Sequence, residues 1–394
     1  MLQKEWRDLD FKSISVGLLA TVLISLLAGS TSAIFLIGLE WVAEQRENQP
    51  IWLFSLPVIG LLVVFIYHYG DQTVQEGNKA LVKALAGNQT RISWKMSAWV
   101  LIGTWLTHLG GGSAGREGTA VQMGGSLADQ LTRWLPKHRT FLIQSGIAAG
   151  FSSVFGTPLA GMFFAYELTS DRKWYHVLWV APASYGAHWV CSDLWHVHHS
   201  VYPTLSGSLS HWDLSTIAYT AALALLIGAL AQVFKRVSSF LKALSDWVPN
   251  PYVRVACGGL GLALAFQSTW SIPFHGLGVE WIQKAFVQPL PWYFGLTKLL
   301  LTLLTLSIGF KGGEATPLFF IGAMTGNSLA QWIPMEAPLA TGLGFVAQFG
   351  SVVAAPWTAM CMGYELFGCI PIHLLGLACW GSYWMAGRKG IYQP

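Results

Sequence analysis

Charged residues are scarce in this sequence: Asp, Glu, Lys and Arg make up 11% of its 394 residues, whereas typical soluble domains carry about 25%. Apolar residues account for 53% of the chain. A soluble monomer with so little charge would aggregate, which argues against an ordinary soluble enzyme or binding domain. The composition therefore predicts an all-α, polytopic membrane protein whose solvent is the lipid bilayer.

Cysteine is also sparse, and its five positions include no Cys-x-x-Cys pair. The spacing indicates neither a disulfide framework nor a zinc site, so the cysteines are expected to be small buried apolar residues. His196, His198 and His199 lie near Cys191, but their irregular spacing favours a solvated loop over a metal site. We expect no metal, no other cofactor and, without a basic tail, no nucleic-acid partner.

Uncharged runs are long instead. Residues 13–39 contain no charge, which exceeds the roughly 20 residues that a spanning helix needs and is too long for a signal-peptide core. Lys4, Arg7 and Lys12 precede this run, and the positive-inside rule then places the N-terminus in the cytoplasm. We expect a multi-pass protein of the plasma (cell inner) membrane. Glycine and proline interrupt many later apolar segments, as in transporters whose broken helices line a cavity.

An internal repeat divides the chain. Eight of 18 residues are identical between FSSVFGTPLAGMFFAYEL at 151–168 and FGSVVAAPWTAMCMGYEL at 349–366, all at a separation of 198. A second echo, GREGT at 115–119 and GGEAT at 312–316, has a separation of 197. The pattern predicts two homologous halves, 1–205 and 206–394, that together form one transmembrane domain.

Glycine-rich turns precede predicted helices at 110–118 and 309–315, and Gly77-Asn78 forms a third candidate. In transporters built from repeats, helix N-termini converge near the bilayer midplane and aim their positive dipole ends at an anionic substrate. The turns therefore predict an anion site, at which Arg116 and Lys311 would raise the local potential.

Glu117 stands within the first of these turns, although a charge at mid-membrane costs about 2.5–3.5 kcal/mol. Its carboxylate, being itself an anion, could fill the site when the substrate is absent and leave it when protonated. Anion and proton would then exclude each other, as antiport requires. The structural alternative is that Glu117 caps a helix or pairs with Arg116, although neighbouring helical residues do not face each other.

These motifs resemble a known family. GSAGREGTAVQMGG at 112–125 is similar to the Gly-Arg-Glu-Gly-Pro segment of the CLC chloride channels and transporters, and FGTPLAGMFFAYEL at 155–168 is similar to the segment that follows it. The resemblance implies the CLC-type fold of two inverted-topology repeats with many broken or tilted helices. It also implies a homodimer with a pore in each subunit and a gating role for Glu117.

Departures from the chloride-type pattern point to one branch. Asn78 replaces the anion-binding serine, residues 313–317 read GEATP, and Leu168 stands where proton-coupled chloride exchangers carry an inner glutamate. These features resemble the fluoride/proton antiporter branch of the Asn type. The resemblance implies export of fluoride from the cytoplasm in exchange for protons, and hence fluoride resistance. No long nucleotide-binding tail follows, so a cytoplasmic regulatory domain is not expected.

A site that strips water from fluoride must supply hydrogen-bond donors in its place. Besides Glu117 as the gating and proton-coupling group, the expected anion-binding residues are Asn78, Gly115, Arg116, Gly118, Ala315, Thr316 and Tyr392. Glu314 either binds the proton or holds its turn by hydrogen bonds. Glu167 and Glu365, equivalent in the repeat, are either an inner proton relay or helix-end carboxylates satisfied by backbone N–H groups.

Three rival functions stay open at this point. A proton-coupled chloride exchanger and a passive anion channel share most of the motifs. An intramembrane serine protease is the alternative from another class: Ser113 in Gly-Ser-Ala-Gly would be its nucleophile and His108 its base. The duplication is unexpected for such an enzyme.

Overall fold

A computed structural model of the protein describes residues 11–70, 72–169, 172–203, 213–368 and 370–392. Lys4, Arg7 and the predicted boundary at 205/206 lie outside these ranges. Within them the chain is almost entirely helical and forms no β-strand. The α-helices are α1 (Phe11–Asn48), α2 (Leu56–His68), α3 (Gln72–Glu76), α4 (Asn78–Leu85), α5 (Lys95–Leu109), α6 (Glu117–Leu131), α7 (Arg139–Phe155), α8 (Pro158–Leu168), α9 (Tyr175–Trp189), α10 (Leu214–Ser245), α11 (Pro251–Ala265), α12 (Val279–Ala285), α13 (Tyr293–Ser307), α14 (Ala315–Ala330), α15 (Ala337–Val353), α16 (Pro356–Phe367) and α17 (Ile372–Ala386).

Among the residues that the structure describes, three helical stretches are long and apolar enough to cross a membrane: Ser15–Asn48, Pro50–His68 and Leu214–Ser245. Backbone breaks shorten other segments. α7 ends at Gly156, whose φ of 73° is left-handed, and α8 begins at Pro158. α15 ends in the same way at Ala354, before Pro356. The prediction of broken membrane helices is therefore confirmed.

Helix starts repeat along the chain. Helices α5 to α8 begin at residues 95, 117, 139 and 158, and helices α13 to α16 begin at 293, 315, 337 and 356, a constant separation of 198. The alignment of GREGT with GGEAT, at a separation of 197, is therefore wrong by one residue. Arg116 and Glu314 hold the equivalent N-cap positions, so Glu117 corresponds to Ala315. The division at 205/206 stays a prediction.

Glycines bring two equivalent helix pairs, α6 with α7 and α14 with α15, into backbone contact. A Cβ atom added to Gly124 of α6 would lie 2.1 Å from the carbonyl oxygen of Gly146 in α7. A Cβ atom added to Gly322 of α14 would lie at the same distance from the carbonyl oxygen of Gly344 in α15. Membrane helices associate through such small residues because lipid supplies no hydrophobic drive between them.

Two glutamates, the buried Glu167 and the half-buried Glu365, join α8 to α16 reciprocally. The Glu167 carboxylate accepts hydrogen bonds from Trp357 N (3.0 Å), Thr358 N (2.8 Å) and Thr358 Oγ1 (2.6 Å) at the start of α16. Glu365 accepts from Leu159 N (2.8 Å) and Ala160 N (2.9 Å) at the start of α8. Each carboxylate satisfies N–H groups that its target helix leaves without internal partners. The geometry matches the helix-end interpretation of this pair.

The described segment that carries the three histidines packs in part against α7, although His196 and His198 are exposed. Val190–Leu194 forms one π-helical turn after α9. His199 packs against Gly156 and its Nε2 lies 2.9 Å from the carbonyl oxygen of Ser153. This segment therefore covers the end of α7, since the left-handed turn at Gly156 leaves space for the imidazole.

Candidate anion and proton site

The two glycine-rich turns meet at a short antiparallel bridge. Gly115 N donates to Gly313 O (2.5 Å), and Gly313 N donates to Gly115 O (2.8 Å). A Cβ atom on Gly313 would lie 2.8 Å from Gly118 N, and one on Gly115 would lie 2.9 Å from a Glu117 carboxylate oxygen. Only glycine lets the two backbones approach this closely. The bridge sets the starts of α6 and α14 side by side.

Glu117 is the first residue of α6, and its side chain is only 2% exposed. Its Oε2 accepts hydrogen bonds from Thr316 N (2.9 Å) and from Arg116 N (3.1 Å). Its Oε1 accepts a short hydrogen bond from the Thr316 hydroxyl. The carboxylate thus lies on the N-terminus of a helix from the other half of the chain, in the position that an anionic ligand would take.

Both parts of the structural alternative for Glu117 are present in this conformation. The side chain caps α14, and Arg116 Nε lies 3.7 Å from Glu117 Oε1, within ion-pair distance. The expectation that the two neighbours do not face each other is therefore wrong. It fails because Arg116 is the N-cap of α6, outside the regular helix to which that rule applies.

Asn78, Tyr392 and Glu117 line one small cavity with a volume of about 10 Å³. Asn78 begins α4 after Gly77, whose φ is 58°, and its buried Oδ1 has no hydrogen-bond partner among the described residues. Buried polar atoms rarely stay unpaired, but an amide oxygen only accepts hydrogen bonds. Oδ1 is therefore suited to a donor such as a protonated carboxyl group, and an anion would need the Nδ2 group of Asn78. The cavity is lined by Asn78, Leu81, Val82, Glu117, Gly118, Val121, Phe151, Phe164, Leu168, Ala315, Phe349 and Tyr392.

The C-terminal segment returns to this cavity. Ile391 N donates to Val352 O at 3.2 Å, which fixes the backbone next to Tyr392. The Tyr392 hydroxyl then donates to Glu314 Oε2 at 2.9 Å. Glu314 therefore has a fixed partner beside the cavity, a placement compatible with both interpretations given above for this residue.

Phenylalanine rings form the apolar wall, and sequence reasoning did not single them out. The rings of Phe151 and Phe164 stack with centroids 4.5 Å apart, and the ring of Phe349 lies 6.2 Å from each of them. All three side chains are at most 4% exposed. The repeat did contain a signal, since Phe151 matches Phe349. Residues that match between two halves lie close together where the halves meet.

The two basic residues near the turns point elsewhere. Lys311 Nζ lies 4.4 Å from the centre of the Tyr67 ring, and Arg116 Nη2 lies 3.4 Å from Ser200 Oγ. Neither side chain lines the cavity, although Arg116 Nε is buried near the carboxylate. Arg116 is therefore the better placed of the two to raise the potential at Glu117.

Ser113 and His108 have separate partners. Ser113 Oγ bonds Thr302 Oγ1 at 2.9 Å. The ring nitrogens of His108 lie 2.8 Å from Thr104 O and 3.1 Å from Ala114 O. A nucleophile and its base must share a hydrogen bond, and these two side chains do not, so the protease interpretation loses its catalytic pair.

Comparisons with known proteins point to the family that the sequence motifs resemble. The family model for the voltage gated chloride channel matches residues 59–387. A chloride/fluoride channel protein of Pseudomonas syringae pv. tomato is 37% identical over 386 residues, which cover 94% of this chain and 84% of the relative. The crystal structure of a CLC-type fluoride/proton antiporter is similar at a TM-score of 0.92 and 32% identity, covering 98% of both chains. A slow cyanobacterial Cl⁻/H⁺ antiporter shows the same fold at a TM-score of 0.82 and 19% identity over 96% of each chain.

Proposed function

The chain belongs to the CLC family of voltage gated chloride channels and transporters, and from this premise we propose that it exports fluoride from the cytoplasm in exchange for protons. Membership makes it a multi-pass membrane anion transporter or channel. The finer assignment, to fluoride and to proton coupling, draws on the site. Such export would confer resistance to fluoride.

One observation carries the proposal: the Glu117 carboxylate occupies the N-terminus of α14 and takes the donors that an anion would need. A protonated Glu117 is a poorer acceptor for these N–H and O–H groups, so it would release them to the substrate. Anion and ionised carboxylate then compete for the same donors. This competition couples the movement of the anion to that of the proton.

Selectivity for fluoride would come from donors set in an otherwise apolar cavity. Fluoride is small and tightly hydrated, so burying it requires strong replacement hydrogen bonds. The polar groups come from Asn78, Thr316, Tyr392 and the backbone around Gly115, Gly118 and Ala315. The phenylalanine and leucine side chains that line the cavity exclude water. The names of the chloride/fluoride relative and of the fluoride/proton antiporter agree with this chemistry.

Glu314 would assist the proton. Its carboxylate holds the Tyr392 hydroxyl, and Tyr392 lines the cavity that contains Glu117. A proton arriving at Glu314 would weaken that hydrogen bond and free the hydroxyl for the anion. We assign Glu314 and Tyr392 as a proton-linked pair beside the gate.

The membrane potential would drive export. If one proton enters for each fluoride that leaves, two charges move with the field, which supplies about 4.6 kcal/mol per 100 mV. Since about 1.4 kcal/mol corresponds to a tenfold ratio, the outward fluoride gradient could exceed roughly three decades. By the positive-inside rule we place the N-terminus in the cytoplasm and the protein in the plasma (inner) membrane.

We further propose that the chain consists of halves 1–205 and 206–394, that it forms a homodimer, and that each subunit transports independently. Alternatives within the family are a proton-coupled chloride exchanger and a passive channel. Leu168 in place of an inner glutamate argues against the first. A channel would share Glu117, so the measurement of proton uptake separates the second.

The test uses purified protein in liposomes loaded with fluoride or with chloride, without a pH gradient. Anion efflux and internal pH are followed together for the wild type and for Glu117→Gln. We expect fluoride efflux with proton uptake in the wild type, slower chloride efflux, and no proton uptake in Glu117→Gln. Glu336→Gln is the matched control because Glu336 is exposed at the start of α15.

Each other outcome identifies a rival. Faster chloride efflux with proton uptake would indicate a chloride exchanger and would remove Asn78 and Thr316 from the selectivity argument. Fluoride efflux without proton uptake in the wild type would indicate a channel. Retained coupling in Glu117→Gln would show that the gate lies at another residue.

A further inference from the structure

Two side chains of α10 hold the end of α17. Gln232 Nε2 donates to Met385 O at 2.5 Å. Lys235 Nζ donates to three carbonyl oxygens, those of Ala386 (3.1 Å), Gly387 (3.3 Å) and Lys389 (2.8 Å). The last carbonyl groups of a helix have no partner inside it, so α10 supplies donors that α17 cannot provide for itself. We call this set of contacts the clamp.

The clamp stands directly before the segment that reaches the cavity beside Glu117. A Cβ atom added to Gly390 would lie 2.1 Å from the carbonyl oxygen of Val353, so the backbone touches α15 at this point. Only Gly390 and Ile391 lie between Lys389, the last residue that the clamp holds, and Tyr392, which lines the cavity. Whatever fixes residues 388–389 therefore also affects the position of Tyr392.

The two segments that form the clamp are basic. Residues 229–245 and 381–392 contain five basic residues and no acidic residue. Arg236, Arg388 and Lys389 are exposed, and in the part of the chain that the structure describes no carboxylate forms an ion pair with any of them. Arg236 Nη2 lies 3.4 Å from Gln232 Oε1, which places this guanidinium beside the clamp. Three exposed cations without a carboxylate partner thus lie at the end of α17.

The clamp lies at the depth of the lipid headgroups. Arg236 is 22 residues from Leu214, where the candidate span α10 begins. That length corresponds to about 33 Å of helix, which exceeds the hydrocarbon core of about 30 Å. Trp247 and Trp384 are 82% and 62% exposed, as tryptophans are where membrane meets water. By the positive-inside rule the basic residues place this end of α10 at the cytoplasmic leaflet, whose anionic lipids attract basic segments.

We propose that Arg236, Arg388 and Lys389 bind the headgroup of an anionic phospholipid, and that the bound headgroup fixes the segment that carries Tyr392. Guanidinium groups donate paired hydrogen bonds to phosphate oxygens. A zwitterionic headgroup has the same phosphate but brings its own cation, so it binds less tightly at a basic cluster. Binding of the lipid is independent of the anion transported, whereas an influence of the lipid on transport rests on the role proposed above for Tyr392.

The test is native mass spectrometry of the purified, detergent-solubilised protein titrated with phosphatidylglycerol and, separately, with phosphatidylcholine. We expect the wild type to bind phosphatidylglycerol more tightly. Each basic residue contributes about fivefold to binding at an anionic membrane surface, so the double variant Arg388→Gln/Lys389→Gln should bind this lipid about thirtyfold more weakly. The matched control is Arg133→Gln/Lys137→Gln, which removes two exposed cations between α6 and α7 and should bind as the wild type does.

Hydrogen–deuterium exchange tests whether the lipid fixes the segment. Ile391 N donates to Val352 O at 3.2 Å, so its exchange rate reports opening next to Tyr392. The Ile391 amide should exchange several-fold more slowly in nanodiscs of phosphatidylglycerol than in nanodiscs of phosphatidylcholine, and the difference should vanish in Arg388→Gln/Lys389→Gln. Inorganic phosphate added to the phosphatidylcholine nanodiscs should give no protection. Protection by phosphate alone would indicate a soluble ligand and would overturn the assignment to a lipid.

The remaining outcomes separate this inference from general surface charge and from the transport proposal. Equal binding of the two lipids by the wild type, or equal losses in the two double variants, would leave only general surface charge and would overturn the inference. Glu117→Gln changes the gate and should bind phosphatidylglycerol as the wild type does. Failure of the antiport proposal would therefore leave the lipid site in place.

Discussion

The two halves anchor equivalent loops with different chemistry. Ile92 N donates to Asp129 Oδ2 at 2.7 Å, and Leu290 N donates to Asn327 Oδ1 at 2.9 Å. The two donors are 198 residues apart in the chain, and so are the two acceptors. The Asp129 carboxylate is paired with Arg139 Nε at 2.7 Å. The Asn327 amide donates instead to the carbonyl oxygens of Ala285 and Gln288. The fold requires one acceptor for the loop N–H, and the surroundings decide whether a carboxylate or an amide provides it.

Arg139 differs from the other basic residues at 133–139, because Arg133, Lys137 and His138 are exposed. Arg139 begins α7, its side chain is 15% exposed, and it donates to the carbonyl oxygens of Asn88 and Thr90 as well as to Asp129. The guanidinium has more partners inside the protein than a headgroup could offer. Its role is to hold the loop between α4 and α5.

At the centre of the molecule the halves share a backbone and differ in side chains. Gly115 and Gly313 form the same bridge from both sides, yet Glu117 corresponds to Ala315 and Arg116 to Glu314. Positions that are alike in both halves, such as the reciprocal glutamates, serve packing. Positions that differ are those to which we assign anion and proton handling.

The largest expected effect comes from exchanging the loop anchors. Asn327→Asp places a carboxylate against two carbonyl oxygens with no cation beside it, and an uncompensated buried charge costs about 3–5 kcal/mol. Asp129→Asn keeps an acceptor for Ile92 and leaves Arg139 its two carbonyl partners, so the loss should be about 1–2 kcal/mol. Unfolding in detergent, followed by tryptophan fluorescence, measures both.

The double variant Asn327→Asp with Ala337→Arg is a direct control for the exchange, because residue 337 corresponds to residue 139 and starts α15. A cation there should recover part of the stability lost in Asn327→Asp. If Asn327→Asp and Asp129→Asn destabilise equally, the two anchors do not differ in electrostatics as described.

A smaller and symmetric effect is expected from the glycine contacts. Gly124→Ala and Gly322→Ala each add a methyl group 2.1 Å from a carbonyl oxygen of the facing helix, which forces the helices apart. Overpacking of this kind costs about 1–3 kcal/mol. Thermal unfolding should show nearly equal losses. The control is Gly261→Ala, where an added Cβ meets nothing within 4 Å; a loss in only one of the two helix pairs would break the symmetry.

Substitution of the reciprocal glutamates should give smaller and slightly unequal losses in the free energy of unfolding. Glu167→Gln affects three donors and Glu365→Gln two, so we expect losses of about 2 and 1 kcal/mol respectively. Proton uptake per anion in liposomes should stay as in the wild type for both. A variant that unfolds normally but transports anions without protons would restore the relay interpretation of that glutamate.

Sequence patterns predicted the membrane class, the family and the residues around the site, because Glu117, Asn78 and the GEATP turn stand in short motifs. They did not predict the Phe151, Phe164 and Phe349 wall, since phenylalanine in a membrane helix looks the same facing lipid or cavity. The short repeat of GREGT and GGEAT also gave a register at the turns that is wrong by one residue. The bridge between Gly115 and Gly313 fixes that register, because a backbone hydrogen bond needs both turns in space.

The smallest expected effect lies at the asymmetric centre, in Tyr392→Phe. The substitution removes the hydroxyl that donates to Glu314 Oε2 and leaves the ring packed in the cavity wall. A lost hydrogen bond costs about 0.5–1.5 kcal/mol net, so fluoride efflux from liposomes should slow about two- to twelvefold while the helices unfold near the wild-type temperature. Tyr364→Phe, on a side chain 61% exposed, is the control and should change neither quantity. If Tyr392→Phe lowers the unfolding temperature with fluoride efflux unchanged, the hydroxyl serves only to hold the C-terminal segment. The proton-linked pair would then reduce to Glu314 alone.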